Sequence, residues 1–306
     1  MGSRCIRPSV RRLSVAGVVL LAAGLLFVTQ SGASPSSRRA VDPRLFASGS
    51  CVEFEPTSSD RHETVFLDAG HGGPDPGGVG VTESGQTIYE ANETLPVERD
   101  ATALLRRRGF TVVDSRTGDS TVARLESGDE SDGVFTVQGE HDDVAARDVC
   151  ANRAKANILI GIYFDVGDTP QNAGSITGYD ADRSFSSANL RLANLVQDDV
   201  LTQLNAQGWN IPNAGVVSDV YLGGPPLTGA AGLYDHLLLL GPADPGYFTT
   251  PSAMPGALIE PLFITDPFEG SIAASSRGQE AIARGLTQAV EQYFAAPISE
   301  RSRKKA

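Results

Sequence analysis

Along most of the chain, continuous apolar runs of four to seven residues alternate with stretches in which apolar residues recur at helical spacing. The apolar runs predict strands at 64–67, 110–114, 158–164, 237–240 and 257–263, and the helical spacing predicts helices at 91–108, 143–155, 192–204 and 282–294. Residues 117–142, rich in Gly, Asp, Glu and Ser, are expected to be an exposed insertion. Strands that alternate with helices indicate an α/β fold, a single three-layer domain with a mostly parallel central sheet flanked by helices.

The first forty residues differ from the rest of the chain. Four arginines precede an uninterrupted apolar and small-residue run at 13–28, which is followed by small residues up to Ala33. This order is typical of an export signal, so residues 1–33 are predicted to be a signal peptide or, if uncleaved, a membrane anchor through 13–28. We expect a secreted or cell-envelope protein that meets the membrane only through this segment. The other predicted boundaries are a linker at 34–62, a catalytic domain at 63–296 and a basic tail at 297–306.

The charge and the cysteine content limit which binding partners and which cellular compartment we expect. The chain has 25 basic and 37 acidic residues, and loss of the four arginines in 1–33 leaves 21 against 37, a formal net charge of −16. Such an acidic protein repels phosphate polyanions, so nucleic acid is excluded as a partner, and we expect a monomer. Because export leads to an oxidising compartment and Cys5 lies in the signal, we expect Cys51 and Cys150 to form a disulfide.

Two residues carry candidate chemistry on physical grounds alone. His71 lies in the glycine-rich loop that follows the first predicted strand, where α/β proteins expose functional groups. Glu260 lies inside an otherwise apolar strand, and a buried acid without a partner is costly, which favours a functional role.

A wider pattern resembles a known family. Residues 65–80, which read VFLDAGHGGPDPGGVG, are similar to the opening of the zinc-dependent N-acetylmuramoyl-L-alanine amidases (amidase family 3) of autolysins, cell-division amidases and spore hydrolases. The resemblance spans residues 64–294 and continues in order through Tyr89-Glu90, the strand that ends at Arg116, Arg147, Ala151-Asn152 and the segment 254–263.

The resemblance implies a zinc ion held by a histidine, a glutamate and a second histidine, with another glutamate that handles the proton of the zinc-bound water. By position, His71 is the first ligand, Glu90 is the second and Glu260 is the catalytic carboxylate. Glu83 and Glu93 are alternatives to Glu90, which is favoured because it opens a helix. Zinc lowers the pKa of its bound water to about 7. The implied reaction cleaves the amide between N-acetylmuramic acid and L-alanine in peptidoglycan.

The sequence departs from the family at the second histidine. There it reads Gly161-Ile162-Tyr163-Phe164-Asp165, so Tyr163 takes the histidine's place. Tyrosine binds zinc poorly because its phenol, with a pKa of about 10, must first lose a proton. Tyr163 as phenolate and Asp165, on the same face of the strand, are equal candidates for the third ligand, with His236 or His141 behind them. The alternative function is a noncatalytic protein of this fold that binds cell wall or regulates other hydrolases.

Overall fold

The computed structural model of the chain describes residues 38–222 and 234–295, so the predicted signal and basic tail lie outside the described residues. Eight strands form one central sheet, and two short hairpins lie outside it. The central strands are β1 (Arg38–Ala40), β2 (Ser50–Phe54), β3 (Thr64–Ala69), β6 (Thr111–Arg116), β9 (Ile158–Ile162), β10 (Ser175–Tyr179), β11 (Asn213–Ser218) and β12 (Gly256–Glu260). The hairpins are β4 (Val79–Val81) with β5 (Thr87–Tyr89) and β7 (Glu130–Ser131) with β8 (Val134–Phe135).

The strand order places the carboxyl ends of four strands at one edge of the sheet. The order is β1-β2-β6-β3-β9-β12-β10-β11, in which β6, β3, β9 and β12 are mutually parallel. We call the edge where these four strands end the C-terminal edge. Strand β10 runs antiparallel to β12, and β11 runs parallel to β10, so both end at the opposite edge.

Helices cover both faces of the sheet. Their bounds are α1 (Glu90–Arg107), α2 (Val137–Arg153), α3 (Ser186–Asn205), α4 (Pro267–Ala273) and α5 (Ser276–Ala295), with a 3₁₀ turn at Asp219–Tyr221. Helices α1, α3 and α5 pack on one face, and α2 packs on the other with the buried segment 237–240. This arrangement confirms the predicted three-layer α/β domain. None of the helices in the described ranges is long and apolar enough to cross a membrane.

Alternation along the central strands supplies both hydrophobic layers. Val65 and Leu67 of β3 pack toward α1, α3 and α5, whereas Phe66 between them packs toward α2. Strand β9 repeats the pattern, with Leu159 on the α2 side and its isoleucines on the other. Because both faces are covered, these strands read as continuous apolar runs in the sequence.

The predicted linker differs from the structure over residues 38–54. These residues form β1 and β2, which extend the sheet by antiparallel pairing with each other and with β6. The pattern was hidden because β1 is fully exposed and polar, as expected for an edge strand. Cys51 of β2 is bonded to Cys150 of α2, which confirms the predicted disulfide.

Other element predictions are wrong in type or extent, and the sequence predicted neither β10 nor β11. The four leucines at 237–240 are buried but form a turn, in which Leu237 O accepts from Leu240 N and Gly241 N. A short apolar run reports burial and does not by itself distinguish a strand from a packed loop. Helix α2 begins six residues earlier than predicted, because the Thr136 side chain caps it by accepting from Gly139 N.

Two buried acids connect α1 to the ends of β3 and β6. Glu98 of α1 accepts from Ala69 N at 3.0 Å and from Ser115 N at 3.2 Å. Asp114 of β6 accepts from the Thr102 hydroxyl at 2.6 Å. Burial raises the pKa of Asp114 to about 7, and burial followed by the charge of Asp114 raises the pKa of Glu98.

The disulfide closes a span of 99 residues, so its removal should lower stability strongly. We expect a reductant to lower the free energy of unfolding by about 4–5 kcal/mol, since a loop of this length restricts the unfolded chain. Urea denaturation with and without dithiothreitol measures the loss. The double variant C51A/C150A is the control and should not respond to dithiothreitol. An unchanged wild-type midpoint in reductant would contradict the prediction.

Asp114 should make stability fall as the pH rises. Its pKa is about 7 when folded and 3.8 as an ordinary value, so the folded state holds the proton more tightly between pH 4 and pH 7. In that window Asp114 should remove about 1 kcal/mol of stability per pH unit. Denaturation of D114N at pH 5 and pH 8 should show a smaller loss than wild type. The exposed Asp198 supplies the control D198N, which should keep the wild-type slope.

Candidate active site

His71 lies at the C-terminal edge, in the loop that follows β3. Its ring is buried, with the Nδ1 atom 2.6 Å from Asp75 Oδ2 and the Nε2 atom 3.0 Å from Glu90 Oε1. Burial lowers the pKa of His71, but the charges and hydrogen bonds of Glu90 and Asp75 outweigh it and raise the pKa to about 10. A β-carbon at Gly77 would lie 2.7 Å from the ring, so the loop needs glycine there.

Glu90 is the first residue of α1 and is fixed at both carboxylate oxygens. Oε1 accepts from Phe164 N and Oε2 accepts from Gly78 N, each at 2.8 Å. The side chain is buried, so these bonds orient it toward His71. The alternatives are placed differently, because Glu83 is exposed and Glu93 accepts from Gln279 at 3.0 Å.

Two further carboxyl groups lie at the same edge. Glu260 is the last residue of β12, and Asp165 follows β9, where its backbone pairs with Leu262 and Ile264. The carboxyl groups of Asp165 and Glu260 are hydrogen-bonded to each other. Burial, followed by the charges of Asp165 and Glu90, raises the pKa of Glu260, and burial raises the pKa of Asp165.

Tyr163 is committed to a separate buried network. Its hydroxyl donates to Asp68 Oδ2 at 3.1 Å, and Arg147 donates to Asp68 Oδ1 at 2.6 Å. Arg147 also donates to Asp143 at 2.8 Å and to the carbonyl of His71 at 3.0 Å. Burial, followed by the charge of Asp68, raises the pKa of Tyr163, so the phenolate that a metal would need is strongly disfavoured.

The two other histidines considered as third ligands have partners elsewhere. In His141 the Nε2 atom lies 2.9 Å from Tyr247 O and the Nδ1 atom lies 2.9 Å from Asp142. His236 lies beside Asp180 and Asp219, which directly follow β10 and β11 at the opposite edge of the sheet. Neither histidine therefore supplies a third ligand beside His71 and Glu90.

The donor chemistry at the C-terminal edge fits a divalent cation, but only two donors stand at ligand spacing. An imidazole and three carboxyl groups are ligands that zinc accepts, and buried like charges favour a positive ion among them. His71 and Glu90 face each other at 3.0 Å. Within the described ranges, the one group of three histidine, cysteine or carboxylate residues with ligand atoms mutually within 4.8 Å is Asp180, Asp219 and His236. A third donor for His71 and Glu90 is therefore not in position.

Sequence reasoning missed the residues that hold this site in place. Asp75 had a local signal, since it follows His71 by four residues in the same loop, but Asp68 and Asp143 act through Arg147 across distant segments. Glu140 and Phe135 come from the predicted insertion and line a small cavity with His71 and Tyr163. Burial, followed by the charge of Asp75, raises the pKa of Glu140 to about 7.

Several known amidases are similar to this chain in sequence or in fold. The germination-specific N-acetylmuramoyl-L-alanine amidase of Bacillus subtilis is 23% identical over 230 residues, which cover 75% of this chain and 79% of that protein. The amidase of Clostridium difficile 630 matches with a TM-score of 0.53 at 22% identity, covering 78% of this chain and 99% of that one. The CwlD amidase of Clostridioides difficile, solved with the GerS lipoprotein, matches with a TM-score of 0.58 at 20% identity, covering 77% and 100%.

The structural matches share the fold, and the family match extends over most of the domain. The sequence profile of N-acetylmuramoyl-L-alanine amidases, a family of hydrolases that is generally zinc-dependent, matches residues 65–292. These residues run from β3, which leads into His71, to α5, which closes the helical layer. The chain belongs to the N-acetylmuramoyl-L-alanine amidase family.

Proposed function

We propose that this protein hydrolyses the amide bond between N-acetylmuramic acid and the L-alanine of the peptidoglycan stem. Family membership supports the reaction class. The observation that carries the proposal is the buried His71–Glu90 pair, 3.0 Å apart, at the edge of the sheet where Glu260 also ends its strand. One imidazole and several carboxyl groups gathered at the carboxyl ends of parallel strands are the groups that metal-assisted hydrolysis needs.

We assign zinc as the cofactor, with His71 and Glu90 as two of its ligands. Asp165 completes the set in our proposal, because it lies two residues beyond the family's histidine position, on the same face of the strand, and among the described residues its carboxyl group bonds to Glu260 and to the backbone N of Val166. Tyr163 is a weaker candidate since its hydroxyl is bound to Asp68. When bound, zinc would polarise the scissile carbonyl and supply a nucleophilic water at neutral pH.

The protein's own residues orient these groups and manage the proton. Asp75 holds the Nδ1 atom of His71, which directs Nε2 toward the site and increases the basicity of the ring. Backbone amides fix Glu90 at both oxygens. Glu260, at the end of β12 beside Asp165, is the carboxylate that we assign to take a proton from water and return it to the leaving amine.

An open groove beside the site supports a chain-like substrate. The groove has a volume of about 230 Å³ and is lined by β4, by residues 167–170 and by Thr265. Gly78, the residue before β4, donates to Glu90, so the strand that lines the groove is connected to a proposed metal ligand. We assign this groove to the stem peptide, and we place the protein in the cell envelope, where that substrate occurs.

A second candidate function is supported by one observation. Tyr163 replaces the expected histidine and is built into the Asp68–Arg147 network, so this position is stabilised without a metal. Such a site suits a protein that binds cell wall or regulates other hydrolases without cutting. Metal content and catalysis separate the two functions.

Substitution of the acids should separate a ligand from a proton carrier. E90Q should lower zinc affinity at the proposed catalytic site by at least about 10-fold, because it removes a charged ligand. E260Q should keep zinc and lower hydrolysis of purified peptidoglycan about 10²–10⁴-fold, because it removes the proton carrier. Metal analysis and release of L-alanine N-termini measure the two effects. E83Q, which changes an exposed acid in the same segment, is the control and should match wild type. The enzymatic proposal would be excluded if the purified wild type holds no metal and does not hydrolyse peptidoglycan.

The third ligand can be identified by a pair of variants at residues 163 and 165. D165N should lose zinc to the same extent as E90Q, whereas Y163F should retain it, because the phenol binds Asp68 and no metal. Zinc affinity is measured by competition with a chelator, and thermal melting confirms that both variants are folded. Y163H should raise zinc affinity by supplying the imidazole. Loss of zinc in Y163F with retention in D165N would reverse the assignment.

A further inference from the structure

A second group of ligating side chains lies at the opposite edge of the sheet. Asp180 directly follows β10, Asp219 directly follows β11, and His236 belongs to the segment that leads into the buried leucines 237–240. Because β10 runs antiparallel to β12, Asp180 lies near the start of β12, whereas Glu260 lies at its end. The group is thus separated from the proposed active site by the length of the sheet.

The three side chains converge on one point. The Nδ1 atom of His236 lies 2.9 Å from Asp180 Oδ2 and 3.2 Å from Asp219 Oδ2, and one ligand atom from each residue lies within 4.8 Å of the others. Both aspartates are buried, and the histidine side chain is 14% exposed. Two carboxylates and an imidazole at this spacing are a donor set that Zn²⁺ and Mn²⁺ accept.

The hydrogen bonds leave one buried oxygen unsatisfied. Asp180 Oδ1 accepts from Asp182 N and Arg183 N, and Asp219 Oδ2 accepts from Leu237 N. Asp180 Oδ2 accepts no hydrogen bond from any described residue, although it is fully buried and points toward His236. A single proton on Nδ1 can be directed at only one carboxylate, so the group keeps a net negative charge even with a charged imidazole.

Two further side chains flank the ring of His236. Its Nε2 atom faces Asp182 Oδ2 at 3.7 Å, so a carboxylate lies on the side of the ring away from the convergence point. The ring of Tyr234 packs against His236 with the centroids 5.4 Å apart. A carboxylate behind a histidine ligand fixes its tautomer and strengthens its binding in many metal sites.

We propose that Asp180, Asp219 and His236 bind a structural divalent cation of the Zn²⁺ or Mn²⁺ class, independently of the active site. The ion neutralises the buried carboxylates and satisfies Asp180 Oδ2. It joins the ends of β10 and β11 to the segment 237–240, which packs over the sheet where Leu239 contacts Gly161 of β9. Its imidazole ligand disfavours Mg²⁺, which prefers oxygen donors and water.

Metal binding to the full-length chain tests the proposal. The protein is stripped with EDTA, and thermal melting is followed as ZnCl₂, MnCl₂ or MgCl₂ is added. The variant H71Q is used as background, because it disables the proposed catalytic ion. Zn²⁺ or Mn²⁺ should raise the melting temperature of H71Q by about 5 °C or more at saturation, and Mg²⁺ should not. Metal analysis after dialysis should give one ion per chain.

The ligand variants locate the ion. H71Q/D219N and H71Q/H236Q should bind Zn²⁺ at least about 10-fold more weakly than H71Q and lose the metal-dependent shift. H71Q/H62Q, which changes an exposed histidine, should keep both. If Zn²⁺ and Mn²⁺ leave the melting of H71Q unchanged, the three residues form only an ion-pair cluster, and the proposal is wrong. Equal metal content in H71Q and H71Q/D219N would also overturn it. Because H71Q is the background, neither result depends on the proposed amidase activity.

Discussion

The imidazole of His71 lies between two carboxylates, and much of the C-terminal edge is arranged around it. Asp75 holds one ring nitrogen from within the loop, and Glu90 faces the other from the start of α1. This contact fixes where α1 begins relative to β3. It also requires glycine at residue 77, since any side chain there would meet the ring. The loop, the helix start and the strand end therefore form one unit.

The same edge buries an unusual amount of charge, and two arginines make this possible. Arg147 bridges Asp68 and Asp143, and Arg116 donates to the carbonyls of Ala69 and Gly70 at the end of β3. A buried cation that satisfies several acceptors at once offsets the cost of removing each from water. Tyr163 belongs to this network through its hydroxyl, which explains how the chain accommodates a phenol at the position where the resemblance predicted a histidine.

The sequence predicted the layers and four of the eight central strands, β3, β6, β9 and β12, because strands buried on both faces appear as apolar runs. The prediction failed where burial does not indicate secondary structure. Strands within residues 38–54 pair without an apolar pattern, and residues 237–240 are buried but form a turn. The convergence of His71 with Glu90 followed from the resemblance, and the structure brings these two side chains together. The partner of Tyr163 could not be foreseen, because Asp68 is 95 residues away and only the packing of β3 beside β9 brings them together.

The disulfide has a consequence for the order in which the molecule matures. Cys150 lies one helical turn beyond Arg147 on α2, and Arg147 binds the carbonyl of His71, so the covalent bond to β2 braces the helix that supports the histidine loop. In a freshly synthesised chain with free thiols, noncovalent packing alone holds that helix in place. Formation of the disulfide therefore adds a covalent link between β2 and the helix that supports this loop, and an oxidising compartment favours that link.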